Sequence, residues 1–190
     1  MTKEEAWMRI RGNEHLKRAM IVSMAGKHTM GVIGDSMNGA KKIKTILGER
    51  VIISASCPCG KLGDFTNIPC TCTPGRVHKF RTTGKYRRLQ FQDIIVTVVT
   101  PRWGDYEGTR KGTSFTEALA EAKIDTTGLP LVINPDALYL LKMWVERYAP
   151  VMDAVESTKK VAETIARLAK DNNEVTAHHM AEALQYKMPM

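Results

Sequence analysis

Four cysteines stand in one short stretch, Cys57-Pro-Cys59 and Cys70-Thr-Cys72, with ten residues between the two pairs. The chain has no others. Two chemistries are open to them: two disulfides, or one tetrahedral four-thiolate metal site. The opening Met1-Thr-Lys-Glu-Glu is charged and lacks an apolar leader segment, and no apolar run reaches the ~18 residues of a membrane span. A cytoplasmic protein is therefore expected, and structural disulfides are rare there. Zinc suits four thiolates in a reducing compartment, with four metal-free thiols as the plain alternative. Gly60, Gly63, Pro58 and Pro69 supply the turn chemistry of a small zinc knuckle.

Directly after the cysteines comes the most basic segment. Arg76, Lys79, Arg81, Lys85, Arg87 and Arg88 fall within thirteen residues, together with Phe80 and Tyr86. No acid occurs between Asp64 and Asp93. Cations interleaved with aromatic rings suit a single strand: the cations follow phosphates and the rings stack on bases. Thr82-Thr-Gly84 supplies a turn between the halves. A solvated positive face is the ordinary alternative for such a run. The charge of the whole chain favours the first reading. Residues 1–111 hold 20 Lys/Arg against 9 Asp/Glu, a net of +11, while residues 112–190 hold 8 against 11, a net of −3. A polyanion partner at the first part is implied. Lys41, Lys42 and Lys44 extend this basic set, since they open a helix whose amino end favours anions. Trp103 and Tyr106, beside Arg102, Arg110 and Lys111, are either a second stacking site or a packed corner. His28, His78, His178 and His179 suggest no catalytic pairing, and the last two read as surface residues. The eleven methionines read as core filling.

The elements that must position these groups are legible from periodicity. Residues 4–26 read as a helix with the stripe Ala6, Met8, Ile10, Leu16, Met20, Ile21 and Met24, broken at Gly12. Strands are predicted at 29–33, 50–54 and 94–99. Gly34 to Gly39 reads as a turn-rich loop and Ala40 to Leu47 as a helix that Gly48 stops. Residues 102–112 read as an exposed loop, 113–123 as a helix and 126–130 as a linker. The last sixty residues read as all helical. One helix starts at Asn134-Pro-Asp and ends before Pro150, a second spans 152–170, and a third is capped by Thr176. The fold class expected is α/β or α+β, with one domain at 1–125 and a helical one at 131–190.

Three blocks resemble one family. Ile10-Arg-Gly-Asn-Glu-His-Leu-Lys-Arg-Ala19, Ala25-Gly-Lys-His28 and Val32-Ile-Gly34 resemble the opening of the magnesium-chelatase-like AAA+ ATPases of the ComM type. Cys57-Pro-Cys-Gly-Lys-Leu-Gly-Asp64 through Cys70-Thr-Cys-Thr-Pro74 resembles their cysteine segment. Asn134 to Tyr148, Val161 to Ala169 and Ala181 to Tyr186 resemble their helical lid. The resemblance implies a reduced AAA+-like domain followed by a lid. It also marks what this chain lacks. A Walker A loop needs lysine for the phosphates and a hydroxyl for magnesium. The loop here is Gly34-Asp-Ser-Met-Asn-Gly39-Ala40-Lys41, so Ala40 stands at the lysine position and Lys41 at the hydroxyl position. Asp35 adds an anion. The segment that carries the family's Walker B acids is missing before Val51. Ala55 stands near the γ-phosphate sensor, Asp153 near the lid arginine and Asp93 near the arginine that precedes the strong strand. Gly34, Gly39 and Lys41 thus form a degenerate phosphate loop, best read as a tight strand-to-helix turn. Neither ATP binding nor hydrolysis is expected.

The resulting expectation is a non-catalytic protein that binds single-stranded DNA. It would act as an accessory factor in transcription, replication or recombination, in the manner of a bacteriophage protein in host cytoplasm. A divergent P-loop ATPase or helicase-type subunit is the enzyme alternative. An adaptor for a polymerase or helicase is the other.

Overall fold

Three β-branched runs become strands β1 (Met30–Gly34), β2 (Val51–Ser54) and β3 (Ile94–Val98). They pair in parallel in the order β2-β1-β3, with Met30 opposite both Val51 and Ile94. The structure is a computed structural model that describes residues 1–34, 37–63, 68–101, 103–107, 113–123, 130–170 and 174–187, and only the backbone of Met37, Asn38, Lys85, Tyr106 and Glu107. Residues 108–112 of the predicted loop at 102–112, residues 126–129 of the predicted linker at 126–130, and residues 124–125 and 171–173 lie outside the described residues, as do Asp35, Asp64 and Arg102; residues 103–107 of that loop are helical instead.

Parallel strands need both faces covered, and strand alternation divides the side chains between two clusters. Met30, Val32, Val51, Ile53, Ile94 and Val96 join the main core. Ile33, Ile52 and Ile95 turn the other way, into a smaller cluster. The amino-end helix is broken at Gly12, as its sequence predicts, into α1 (Lys3–Met8) and α2 (Glu14–Gly26), parted where Gly12 takes φ +66°. In α1 the buried residues are Ala6 of the predicted stripe and Trp7, which the stripe did not include, while Met8 is exposed. Helix α3 (Met37–Leu47) links β1 to β2 and buries Ile43, Ile46 and Leu47 in the main core. It starts three residues before Ala40, so Gly39 is a helical residue and not part of a loop.

After β2 and the cysteines come α4 (Pro74–Arg81) and α5 (Gly84–Leu89), then β3, α6 (Trp103–Glu107) and α7 (Phe115–Glu121). The carboxyl-terminal part holds α8 (Pro135–Tyr148), α9 (Met152–Ala169) and α10 (Ala177–Gln185). It is not all helical: β4 (Val132–Ile133) and β5 (Glu174–Val175) form a two-stranded parallel pair that brings the start of α8 to the start of α10. Asn134 caps α8 with its side chain, and Pro135 follows at the first helical position.

Val161, Ile165 and Ala166 of α9 share the main core with Leu16, Met20 and Val22 of α2. At one end α9 also grips the sheet. Ser157 Oγ donates to Asp93 at 2.6 Å, and the same carboxylate accepts from Thr29 N and Oγ1, both at 2.8 Å. Seven residues further on, Thr164 Oγ1 donates to Lys160 O at 3.0 Å, so it accepts from His28 Nε2 at 2.8 Å. Both contacts fall at the amino ends of β1 and β3. The described residues give a mixed α/β protein with no helix long and apolar enough to cross a membrane.

Candidate metal centre and nucleic-acid interface

β2 runs straight into the cysteines. Cys57 is fully buried, and the backbone turns back on it at once: Gly60 N donates to Cys57 O at 3.0 Å and Leu62 N to Cys57 Sγ at 3.4 Å. Gly60 and Gly63 both hold φ +79°, a left-handed backbone that favours glycine. Cys70 and Cys72 arrive from the other side, just before Thr73 and Pro74 open α4. The sulfurs of Cys57 and Cys59 lie 3.4 Å apart, those of Cys57 and Cys70 3.7 Å, and those of Cys59 and Cys70 3.6 Å. All four lie within 4.8 Å of one another, and none is in a disulfide.

A disulfide would need about 2.05 Å. Sulfurs about 2.3 Å from one tetrahedral centre sit about 3.8 Å from each other. The cluster therefore has the dimensions of a four-thiolate metal site. Amide hydrogen bonds from Lys61 and Thr71 lower the Cys59 thiol to about 6. The Cys72 amide pulls Cys70 down, but burial and its neighbours Cys59 and Cys57 push it up to about 11. Crowded thiols cannot all ionise by themselves, and a cation among them removes that conflict.

The basic segment is helical on both sides of a tight turn. Thr73 Oγ1 accepts from Arg76 N at 3.4 Å and starts α4. Thr82 and Thr83 end it, their hydroxyls donating to Lys79 O and Phe80 O at 2.9 and 2.6 Å. Helical spacing then sorts the side chains. Arg76, Lys79, Arg87 and Arg88 are exposed. Tyr86 and Leu89, three apart on α5, are buried with Ile33 against the second face of the sheet. Tyr86 is only 5% exposed and meets Phe80 edge-on at 5.8 Å, with the Arg81 guanidinium 5.6 Å from its ring. Its expected role as a stacking ring is thus corrected to a core role, and Phe80 and Arg81 are half-buried beside it. Of Lys85 only the backbone is described.

One ring was missed. Phe91, in the turn after α5, is 66% exposed and lies three residues after Arg88. Its signal was there to find: five residues after Tyr86, it falls off the Tyr86/Leu89 stripe.

The remaining expected residues are placed elsewhere. Lys41 and Lys42 ride on α3, which covers the main-core face of the sheet, opposite α5. Lys42 Nζ donates to Arg9 O at 3.2 Å. They do not extend the α4–α5 surface. Gly34 holds φ +145° and lies so close to β3 that a Cβ would overlap the Val98 carbonyl. Gly39 has open space around it. The strands of the three-stranded sheet end in Gly34, Ser54 and Val98, with no acidic pair. Trp103 is 74% exposed, while the Tyr106 ring, Arg110 and Lys111 lie outside the described residues. His178 is exposed as expected, but His179 is buried and its Nδ1 accepts from Thr176 N at 3.2 Å, completing the cap of α10. No protein-family model and no curated protein matches this chain.

Proposed function

We propose that this chain is a non-hydrolysing nucleic-acid-binding protein in which α4 and α5 contact single-stranded DNA. A zinc ion on Cys57, Cys59, Cys70 and Cys72 fixes the start of α4, since four thiolates select zinc over the hard cations. The observation that carries this reading is the set Arg76, Lys79, Arg87 and Arg88. All are exposed, and none pairs with a carboxylate among the described residues. The helices that bear them are anchored at one end by the cysteine cluster and underneath by Tyr86 and Leu89. Phe91 supplies an exposed ring beside them.

The scaffold is read as a reduced AAA+-like domain followed by a lid, at 131–190, in which the short β4–β5 pair joins three helices. Ala40 at the lysine position and the absence of an acidic pair at the strand ends of the three-stranded sheet leave no route to phosphoryl transfer. Its place would be that of an accessory factor in DNA transactions within a reducing cytoplasm. A second reading, an adaptor for a polymerase or helicase, draws on the outer face of α8, where Leu138, Tyr139 and Met143 are exposed.

Filter binding of single-stranded DNA, duplex DNA and RNA at two salt concentrations tests the proposal. Single strands should bind more tightly than duplex, and affinity should fall steeply with salt. Arg87→Ala should reduce the salt slope by about 0.7. Phe91→Ala should cost about 1–3 kcal/mol on single strands and leave the slope unchanged. A folded quadruple charge reversal at Arg76, Lys79, Arg87 and Arg88 that still binds like the parent would sink the reading.

A further inference from the structure

The four sulfurs are close in space but differ in access. Cys59 is exposed, Cys70 and Cys72 are half-buried, and Cys57 is fully buried. Cys57 Sγ also accepts from Leu62 N at 3.4 Å, which holds it in place. Cysteines that ligate zinc are thiolates. Thiolate character and exposure together decide which sulfur an oxidant reaches first, and among these four the exposed one is Cys59. Two sulfurs lie close beside it, Cys57 at 3.4 Å and Cys70 at 3.6 Å. A Cys57–Cys59 bond would close a ring over the single residue Pro58, whose φ is locked. Cys70 arrives on the opposite arm of the loop, and no such ring opposes its bond. Helix α4 depends on the same cluster. No residue of it is fully buried. Its amino end follows Cys72 through the Thr73 cap, and its other end rests on the Phe80–Tyr86 ring contact at 5.8 Å.

We infer that the cluster is a peroxide-sensitive switch on nucleic-acid binding: oxidation joins Cys59 to Cys70, empties the metal site and loosens the start of α4. The inference rests on the reading above, both for the zinc ion and for the strand that α4 contacts. The Cys59 thiolate attacks one oxygen of hydrogen peroxide, the O–O bond breaks, and the departing hydroxide takes a proton from solvent and leaves as water. Cys59 is then a sulfenic acid. The Cys70 thiolate attacks the Cys59 sulfur, the S–O bond breaks, and the second hydroxide also leaves as water. The two sulfurs give up two electrons and the peroxide takes them. Cys57 and Cys72 remain as ligands, too few for a structural zinc site. With Cys72 released, Arg76 and Lys79 lose their fixed place. A dithiol reductant breaks the bond and restores the site.

The test uses the full zinc-loaded chain, hydrogen peroxide and oligothymidylate. A chelating dye reads zinc release, dimedone tagging and disulfide mapping read the sulfurs, and filter binding reads affinity. Dimedone should tag Cys59 before any other cysteine. Peroxide should then release the zinc, leave a Cys59–Cys70 bond, strip amide-exchange protection from residues 73–81 and lower oligomer affinity severalfold. Dithiothreitol with zinc should reverse all of these. Cys59→His keeps four ligands, three cysteines and one histidine, and removes the exposed thiolate, so it should slow zinc release severalfold. Should this variant fail to take up zinc, mapping of the parent decides alone. If zinc stays bound under peroxide, or a different pair of cysteines is joined, the switch is wrong while the wider proposal stands. If the bond forms and zinc leaves but affinity is unchanged, the cluster does not govern binding and the switch is again wrong. If the untreated chain holds no zinc or binds no oligomer, the wider proposal fails and the switch fails with it.

Discussion

The turn after β1 and the loop after β2 leave the same end of one sheet, and their marked residues have different physical reasons. At the β1 turn the marked feature is glycine. Gly34 is demanded by the approach of Val98 and by φ +145°, with no phosphate needed to account for it. Gly39, the other half of that pattern, meets nothing. At the β2 loop the feature is four sulfurs within 4.8 Å. Packing alone does not require four thiols to converge, with Cys59 exposed and only Cys57 buried. Glycine answers to backbone geometry and is ambiguous about chemistry. A converging ligand set answers to chemistry.

Substitutions at the two sites should therefore behave differently. The largest effect is expected from Cys70→Ser. Loss of the metal should raise the free energy of holding the loop and the start of α4 by more than about 4 kcal/mol, read as lost amide-exchange protection over residues 57–81. Metal analysis should fall from one equivalent to none, and chelation of the parent should reproduce both results. If protection and metal content survive, the four sulfurs are not a ligand set. Gly34→Ala comes next. The overlap with a backbone carbonyl cannot be relieved by a side-chain rotation, so urea unfolding should show a loss of about 3 kcal/mol. A neutral result would mean that β1 and β3 do not approach as described. The smallest effect belongs to Gly39→Ala. In open space on a helix it should stabilise by about 0.5–1 kcal/mol. A loss of stability there would return a specific role to the whole turn.

Much of this was legible in advance because it depends on local pattern. Runs of Val and Ile gave the three strands, and Asn134-Pro135 gave the start of α8 to the residue. The cysteine spacing gave the cluster. What could not be read depends on partners distant in sequence. Tyr86 looks like a stacking ring until Ile33, more than fifty residues earlier, is found beneath it. His179 looks exposed until its ring is seen to complete a cap. The β4–β5 pair is two residues long on each side, too short for any period to register.

The grip of α9 on the sheet is also a store of proton-linked stability. Burial pushes the His28 imidazole below its ordinary value; Lys187, Lys160 and Arg50 add to the fall and Asp93 opposes it. Burial pushes Asp93 upward, but hydrogen bonds from Ser157 and Thr29 outweigh it and hold the carboxyl below its ordinary value. In both cases the unfolded chain takes up a proton more readily than the folded one. The His28 contribution is complete above about pH 6.5 and is lost as pH falls towards its lowered folded value; that of Asp93 is complete above about pH 4 and is lost below it. The urea midpoint should therefore drop between pH 7 and pH 5, and His28→Gln, which keeps a donor for Thr164 but cannot titrate, should flatten that drop. Mild acid would then loosen α9 at the amino edge of the sheet, the edge opposite the one from which β2 enters the cysteines.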